Sequence, residues 1–287
     1  MDEQVPYRLS EPVQLTSAAV FDSPHSGRDY PAALQNRSRL DPVRLRASED
    51  ALVDELFHSA PEFGAPLLCA TAPRAWVDLN RGPHELDPAL IDGARTSGIN
   101  QRIAAGLGVV PRIVSEGTPI YDGKISLAEA EQRIQSVHTP YHARLDFLLK
   151  RAQHTFGHAI LFDCHSMPSE ALRAAPRVRG QLPDIVLGDR FGASAAREIT
   201  QATQEAFESA GFLVARNAPF AGGYIIQRYG RPARGLHAVQ IEIDRGLYLD
   251  QSNIAASGNF DSVRNRLMDV TRQLTGINPR PIAVAAE

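Results

Sequence analysis

Apolar and polar positions fall into blocks along the chain, and the blocks have two periods. Short apolar runs at 18–22, 66–70, 75–79, 159–163, 184–188, 213–216 and 238–243 have the length and residue types of buried strands. Between them lie stretches in which apolar residues recur every three or four positions. The longest, 127–156, lines up Ile134, Val137, Tyr141, Leu145 and Leu148. Pro140 is expected to kink or split it, because proline lacks an N–H and crowds the preceding turn. Further helices are predicted over 48–60, 192–210 and 262–274. The first opens on Ser48-Glu49-Asp50, a capping residue followed by acids that suit a helix N-terminus. Strands alternating with helices predict an α/β fold with a largely parallel sheet. Segments 80–122 and 169–183 follow neither period, and long irregular segments often carry substrate contacts.

What stands at the ends of the apolar runs changes the picture from fold to chemistry. The run at 159–162 ends in Asp163-Cys164-His165-Ser166, and the run at 18–21 ends in Asp22-Ser23-Pro24-His25-Ser26-Gly27. Parallel sheets bind ligands at the carboxyl ends of their strands, so His25 and His165 are candidate metal ligands. A catalytic zinc takes three protein ligands and keeps a position for water. The third is expected from Glu49 or Asp50, acids at the start of the first helix. Asp22 and Asp163 are placed to orient the imidazoles or to pair with arginines. Strand alternation sends Cys164 to the face opposite His165, so it reads as a buried thiol rather than a nucleophile.

Glu242, flanked by Ile241 and Ile243, is expected to be buried. Burial raises a carboxyl pKa, which suits a general base; a salt bridge to Arg245 is the structural alternative. Arg74, Arg81 and Arg245 are candidate anchors for an acidic substrate, with Asp78 and Asn80 positioning them, and at least one of the three is expected to be structural. The loop from Asn217 through Gly222 and Gly223 offers backbone N–H groups to a ligand, or is an ordinary turn.

Composition narrows the classes. The chain has 287 residues, 43% of them hydrophobic and 22% charged, with a net charge of −3. These are globular values, and the charge balance argues against nucleic acid as a partner. Two cysteines in apolar runs, no secretory core near Met1 and no run long enough to span a bilayer point to a cytoplasmic protein without a membrane partner. Neither a phosphate-binding loop nor a dinucleotide fingerprint is present. One domain is expected over 1–287, with 278–287 a loose tail.

Taken together, six stretches resemble the N-formylglutamate amidohydrolase family. They are Ser-Pro-His-Ser-Gly-Arg (23–28), Ser-Glu-Asp-Ala-Leu-Val-Asp-Glu-Leu (48–56), Pro-Arg-Ala-Trp-Val-Asp-Leu-Asn-Arg (73–81), Asp-Cys-His-Ser-Met-Pro (163–168), Asn-Ala-Pro-Phe-Ala-Gly-Gly-Tyr (217–224) and Gln-Ile-Glu-Ile-Asp-Arg-Gly-Leu-Tyr-Leu-Asp (240–250). The resemblance implies one three-layer α/β domain with a mixed, mainly parallel sheet, related to the zinc carboxypeptidases. It implies release of formate from a small acidic N-formyl amino acid, most simply N-formyl-L-glutamate, and a role in histidine degradation. It also implies a Zn2+ or other divalent ion on His25, Asp50 and His165, with Glu242 as general base. In one respect the chain departs from the carboxypeptidases: three residues after the first histidine they carry a glutamate ligand, and here that position is Arg28. The same residues also suit another N-acyl amino acid amidohydrolase, a carboxypeptidase-like peptidase, or a non-catalytic metal-dependent binder of acidic ligands. A carboxylate at Glu242 favours catalysis, since binding needs no general base.

Overall fold

The computed structural model describes residues 5–95, 100–114 and 117–278. The strands of its main sheet are β1 (Tyr7–Ser10), β2 (Ala19–Ser23), β3 (Leu67–Ala70), β4 (Ala159–Met167), β5 (Ile185–Gly188), β6 (Val214–Arg216) and β7 (Leu236–Asp244). They form one sheet in the order β1-β3-β2-β4-β7-β5-β6. β3, β2, β4 and β7 run parallel, as do β5 and β6; β1 and β5 pair antiparallel with β3 and β7. The sheet is therefore mixed and mostly parallel, as expected.

Alternation along the central strands splits the core in two. Phe21, Ile160, Phe162, Cys164, Val239, Ile241 and Ile243 join one buried cluster; Val20, Leu161 and Ala238 join the other. The first cluster is covered by helices α5 (Arg197–Ser209) and α7 (Phe260–Thr275), and the second by α4 (Thr139–Phe156). On the α4 face, the alternation that buries Leu161 and Ala238 also carries Asp163, His165, Gln240 and Glu242 towards the carboxyl ends of their strands. Register then pairs Asp22 with Asp163 and His165 with Glu242. Cys164 lies in the opposite cluster, away from His165.

Several local expectations are corrected. Residues 75–79 are not a strand. Ala75, Val77 and Leu79 are buried, but the N–H groups of Val77 and Asp78 bond to Pro73 and Val109 carbonyls instead of a neighbouring strand. The 48–60 helix reduces to α1 (Val53–Leu56), because Leu52 takes a left-handed φ of 64° and the Asp50 N–H is held by the His25 carbonyl at 3.0 Å. Pro140 acts as foreseen. Helix α3 (Leu127–Arg133) passes through a π-turn, Ile134–His138, before α4 begins, which absorbs the missing donor. β1 was not anticipated: it is a short, half-exposed edge strand without a clean alternation. Two short helices in irregular regions, α2 (Gln101–Ala104) and α6 (Tyr224–Tyr229), flank the site described next. The acidic N-terminus at 1–4 and the tail beyond 278 lie outside the described residues. No described helix is long and apolar enough to cross a membrane.

Candidate active site

His25, Asp50 and His165 converge although they come from three separate segments. All three are buried, and one ligand atom from each lies within 4.8 Å of the others. Asp50 Oδ2 is 3.3 Å from His25 Nδ1 and 2.9 Å from His165 Nδ1. Ligands about 2 Å from a tetrahedral ion stand about 3.3 Å apart, so the spacing suits a divalent cation.

The state of each side chain is set from behind. His25 Nε2 donates to Asp78 Oδ1 at 2.8 Å, a bond that leaves the Nδ1 lone pair facing the site. That nitrogen is buried and has no hydrogen-bond partner, which is the condition of a ligand atom. Asp78 also accepts from the Asn80 N–H at 2.9 Å and from Arg74 Nε at 3.1 Å. Burial opposes its charge, yet Arg74 and His25 hold its carboxyl well below the usual range. His165 Nε2 lies 2.8 Å from Asp163 Oδ1, an ion-pair contact out of line for a hydrogen bond, and 3.2 Å from Asn80 Nδ2. Burial works against a charged His165, but Asp163 and Asp50 outweigh it and keep its proton well above the ordinary range.

Asp50 is braced on its far oxygen. Arg245 Nη2 donates to Oδ1 at 2.9 Å while Arg245 Nε reaches Ser166 Oγ at 3.1 Å and Nη1 the Ala47 carbonyl at 3.1 Å. Burial raises the cost of the Asp50 charge, but the hydrogen bond from His165 and the closeness of His25 hold its carboxyl well below the usual range. Beneath the site Asp22 takes the Tyr141 hydroxyl at 3.0 Å; burial and the adjacent Asp163 push it well above that range. Asp22, Asp50, Asp78, Asp163 and Glu242 are all buried around two imidazoles, a concentration of acid that calls for a cation.

Glu242 stands on β7 beside His165, and burial pushes its carboxyl up to about 7, partly opposed by His165. Gln240 fixes its orientation: Nε2 donates to Glu242 Oε1 at 2.7 Å, and Gln240 Oε1 accepts from the Gly223 N–H at 2.8 Å. Gly222 has a φ of +126°, and a Cβ on Gly223 would lie 2.3 Å from Asn80 Oδ1, so the chain must be bare here for α6 to pack over the site. The Ile225 N–H at the start of α6 donates to Asn80 Oδ1 at 2.8 Å.

These groups open into a cavity of about 710 Å3 lined by His25, Asp50, His165, Glu242, Arg74 and Arg81 among others. Asn80, Gly222, Gly223 and Arg245 also line it, but Arg245 is spent on Asp50 and the Gly223 N–H on Gln240. Asn217 is not in the lining; it accepts from the Asp189 and Phe191 N–H groups and shapes that loop. Glu49 faces away, bonded by Arg46 and Tyr30. Arg28, at the carboxypeptidase ligand position, pairs with Asp54 at 2.7 Å. Sequence reasoning did not pick out the roles of Gln240 and Ser166, nor Arg102, which also lines the cavity. Gln240 had a usable signal, a polar residue at the same alternation as Glu242.

Known proteins share this arrangement of chain. A sequence profile of the N-formylglutamate amidohydrolase family matches residues 17–249. A Pseudomonas putida protein named N-formylglutamate deformylase is 31% identical over 236 residues, 81% of this chain and 82% of that one. Its Pseudomonas aeruginosa namesake is 32% identical over 235 residues, with the same coverage. The crystal structure of N-formylglutamate amidohydrolase from Ralstonia eutropha JMP134 superposes with a TM-score of 0.88 at 34% identity, over 95% of this chain and 98% of that one. An Agrobacterium tumefaciens gene product at 19% identity shares the fold, with a TM-score of 0.60 over 96% of each chain. With a profile match across most of its length and relatives above 30% identity, the chain belongs to the N-formylglutamate amidohydrolase family of amide hydrolases.

Proposed function

We propose that the protein hydrolyses the amide bond of an N-formyl amino acid, with N-formyl-L-glutamate as the preferred substrate and L-glutamate and formate as products. The observation that carries this reading is the placement of Glu242 beside the His25–Asp50–His165 cluster, in one cavity with several arginines. The names of the relatives at about a third identity support the substrate.

His25 Nδ1, His165 Nδ1 and Asp50 Oδ2 would hold a divalent ion, zinc being the ion their donor set suits. When bound, such an ion acidifies water and polarises a carbonyl. Asp78 and Asp163 fix the two rings so that both Nδ1 atoms face inward, and Arg245 with Ser166 fixes Asp50. Glu242 takes a proton from the attacking water on its free carboxylate oxygen while Gln240 holds Oε1. Returned to the leaving nitrogen, that proton lets the C–N bond break and frees the amino group of the amino acid. Arg74, tethered to Asp78 and exposed to the fields of Asp50 and Glu242, is a cation in the cavity available to stabilise the developing negative charge. The test is L-glutamate release from N-formyl-, N-acetyl- and N-succinyl-L-glutamate. Fastest release from the formyl substrate is expected; faster turnover of a longer acyl group would move the protein to another N-acyl amidohydrolase.

A further inference from the structure

The cavity holds more positive charge than the chemistry above uses. Arg81 is 8% exposed, with Nε on the Leu107 carbonyl at 3.0 Å and Nη1 on the Asn80 carbonyl at 2.8 Å. Among the described residues no carboxylate comes within 4.0 Å of its guanidinium. Two acids attract it from farther off, and both are engaged. Asp78 serves His25 and Arg74, and Glu85 accepts from the Gly82 N–H and from Asn100. Burial and the like charges of Arg74 and Arg102 disfavour its charged form. A buried, rigidly held guanidinium without a counterion is costly unless an anion completes it.

Arg102, on α2, lines the same cavity, and its guanidinium has no hydrogen-bond or ion-pair partner among the described residues. One residue ties the two arginines together. The Leu107 N–H bonds to the Arg102 carbonyl at 2.8 Å, and the Leu107 carbonyl takes Arg81 Nε. Asn100 caps α2 by accepting from the Arg102 and Ile103 N–H groups, which fixes where the side chain of Arg102 starts. Arg74 belongs to the other end, bound to the carboxylate that backs His25. Leu107, Pro111 and Ile113 add apolar lining suited to methylene groups.

We propose that Arg81 and Arg102 form a clamp for the side-chain carboxylate of the substrate, remote from the reacting amide, and that Arg102 is the residue that sets the preference for acidic over neutral side chains. This rests on reading the cavity as the site of an N-formyl amino acid hydrolase. Bidentate guanidinium–carboxylate pairing supplies the selectivity, because a carboxamide of the same shape cannot accept two such bonds. Arg102 is exposed, so replacing it leaves the core intact.

The experiment compares kcat/KM for N-formyl-L-glutamate and N-formyl-L-glutamine in the zinc-reconstituted full chain, in R102A and in R102K. The wild type is expected to favour the glutamate. R102A is expected to cut that preference by about tenfold or more, through KM, as loss of a charge-assisted bond implies, and R102K to recover part of it. A preference within twofold of wild type in R102A overturns the clamp, as does a wild type indifferent between the two substrates. If the wild type releases formate from neither, the underlying hydrolase reading falls and the clamp with it; activity with an unmoved ratio removes the clamp alone.

Discussion

Replacing Glu242 with glutamine separates catalysis from metal binding and from folding in one variant. The substitution keeps the shape of the side chain and the oxygen that accepts from Gln240, and removes only the capacity to take a proton. General-base loss typically costs about 10²–10⁴-fold, so kcat for formate release is expected to fall by at least 100-fold. Bound metal is expected to stay at the wild-type level, since Glu242 is outside the His25–Asp50–His165 cluster. Stability moves the opposite way. Burial raises the Glu242 carboxyl from 4.5 to about 7 in the metal-free fold. A raised acid contributes fully at pH below its unfolded value, and the contribution is lost as pH rises through the folded value. At pH 8 the buried charge thus costs on the order of 3 kcal/mol, and E242Q never incurs it. Urea unfolding of the chelated proteins is expected to show E242Q gaining on wild type between pH 5 and pH 8. A variant that keeps a tenth of wild-type kcat, or a stability difference flat with pH, would refute the reasoning.

Other perturbations follow from the same contacts. In the loaded enzyme, kcat/KM is expected to fall on the acid side of a pKa at or below about 7, because the base must be ionised and a bound cation favours the carboxylate; a pH–rate profile flat to pH 5 would contradict this. Asp78→Asn should weaken metal affinity by about 10–100-fold, measured by competition with a chelator, since it loosens the ring of His25. Arg245→Met leaves Asp50 Oδ1 with only the 3.4 Å contact from Ser166 and should destabilise the fold by about 3–5 kcal/mol in urea unfolding. Gly223→Ala should lower kcat, because the new Cβ collides with the Asn80 side chain that contacts His165; unchanged kinetics would show that α6 can shift freely.

The legible part of this molecule was what strand periodicity controls. Apolar runs that end in His25 and His165, and the alternation that parts Cys164 from His165, are local patterns, and the sheet keeps them. The residues 48–60 were misread because Leu52 leaves helical geometry, under a long-range bond from Asp50 to the His25 carbonyl that no local propensity encodes. Asp50 was one of two acids the local pattern offered, and its choice over Glu49 rested partly on family resemblance. Arg245 follows Glu242 in a strand-like run and reads as a substrate anchor; only the fold brings Asp50 and Ser166 against it. Segment 75–79 carried a strand's alternation truthfully as burial and misleadingly as pairing. Arg102 and Gln240 gave weaker signals, one in an irregular stretch and the other an unremarkable amide beside a more conspicuous carboxylate.

The central claim is that hydrolysis of an N-formyl amino acid depends on a divalent ion held by His25, Asp50 and His165. Its most direct test is formate release from N-formyl-L-glutamate by the protein stripped with a chelator and then titrated with Zn2+, alongside His165→Ala. Activity is expected to vanish on stripping and to return in full at about one ion per chain, while His165→Ala neither binds the ion nor regains turnover. Undiminished formate release from the metal-free protein would contradict the claim outright.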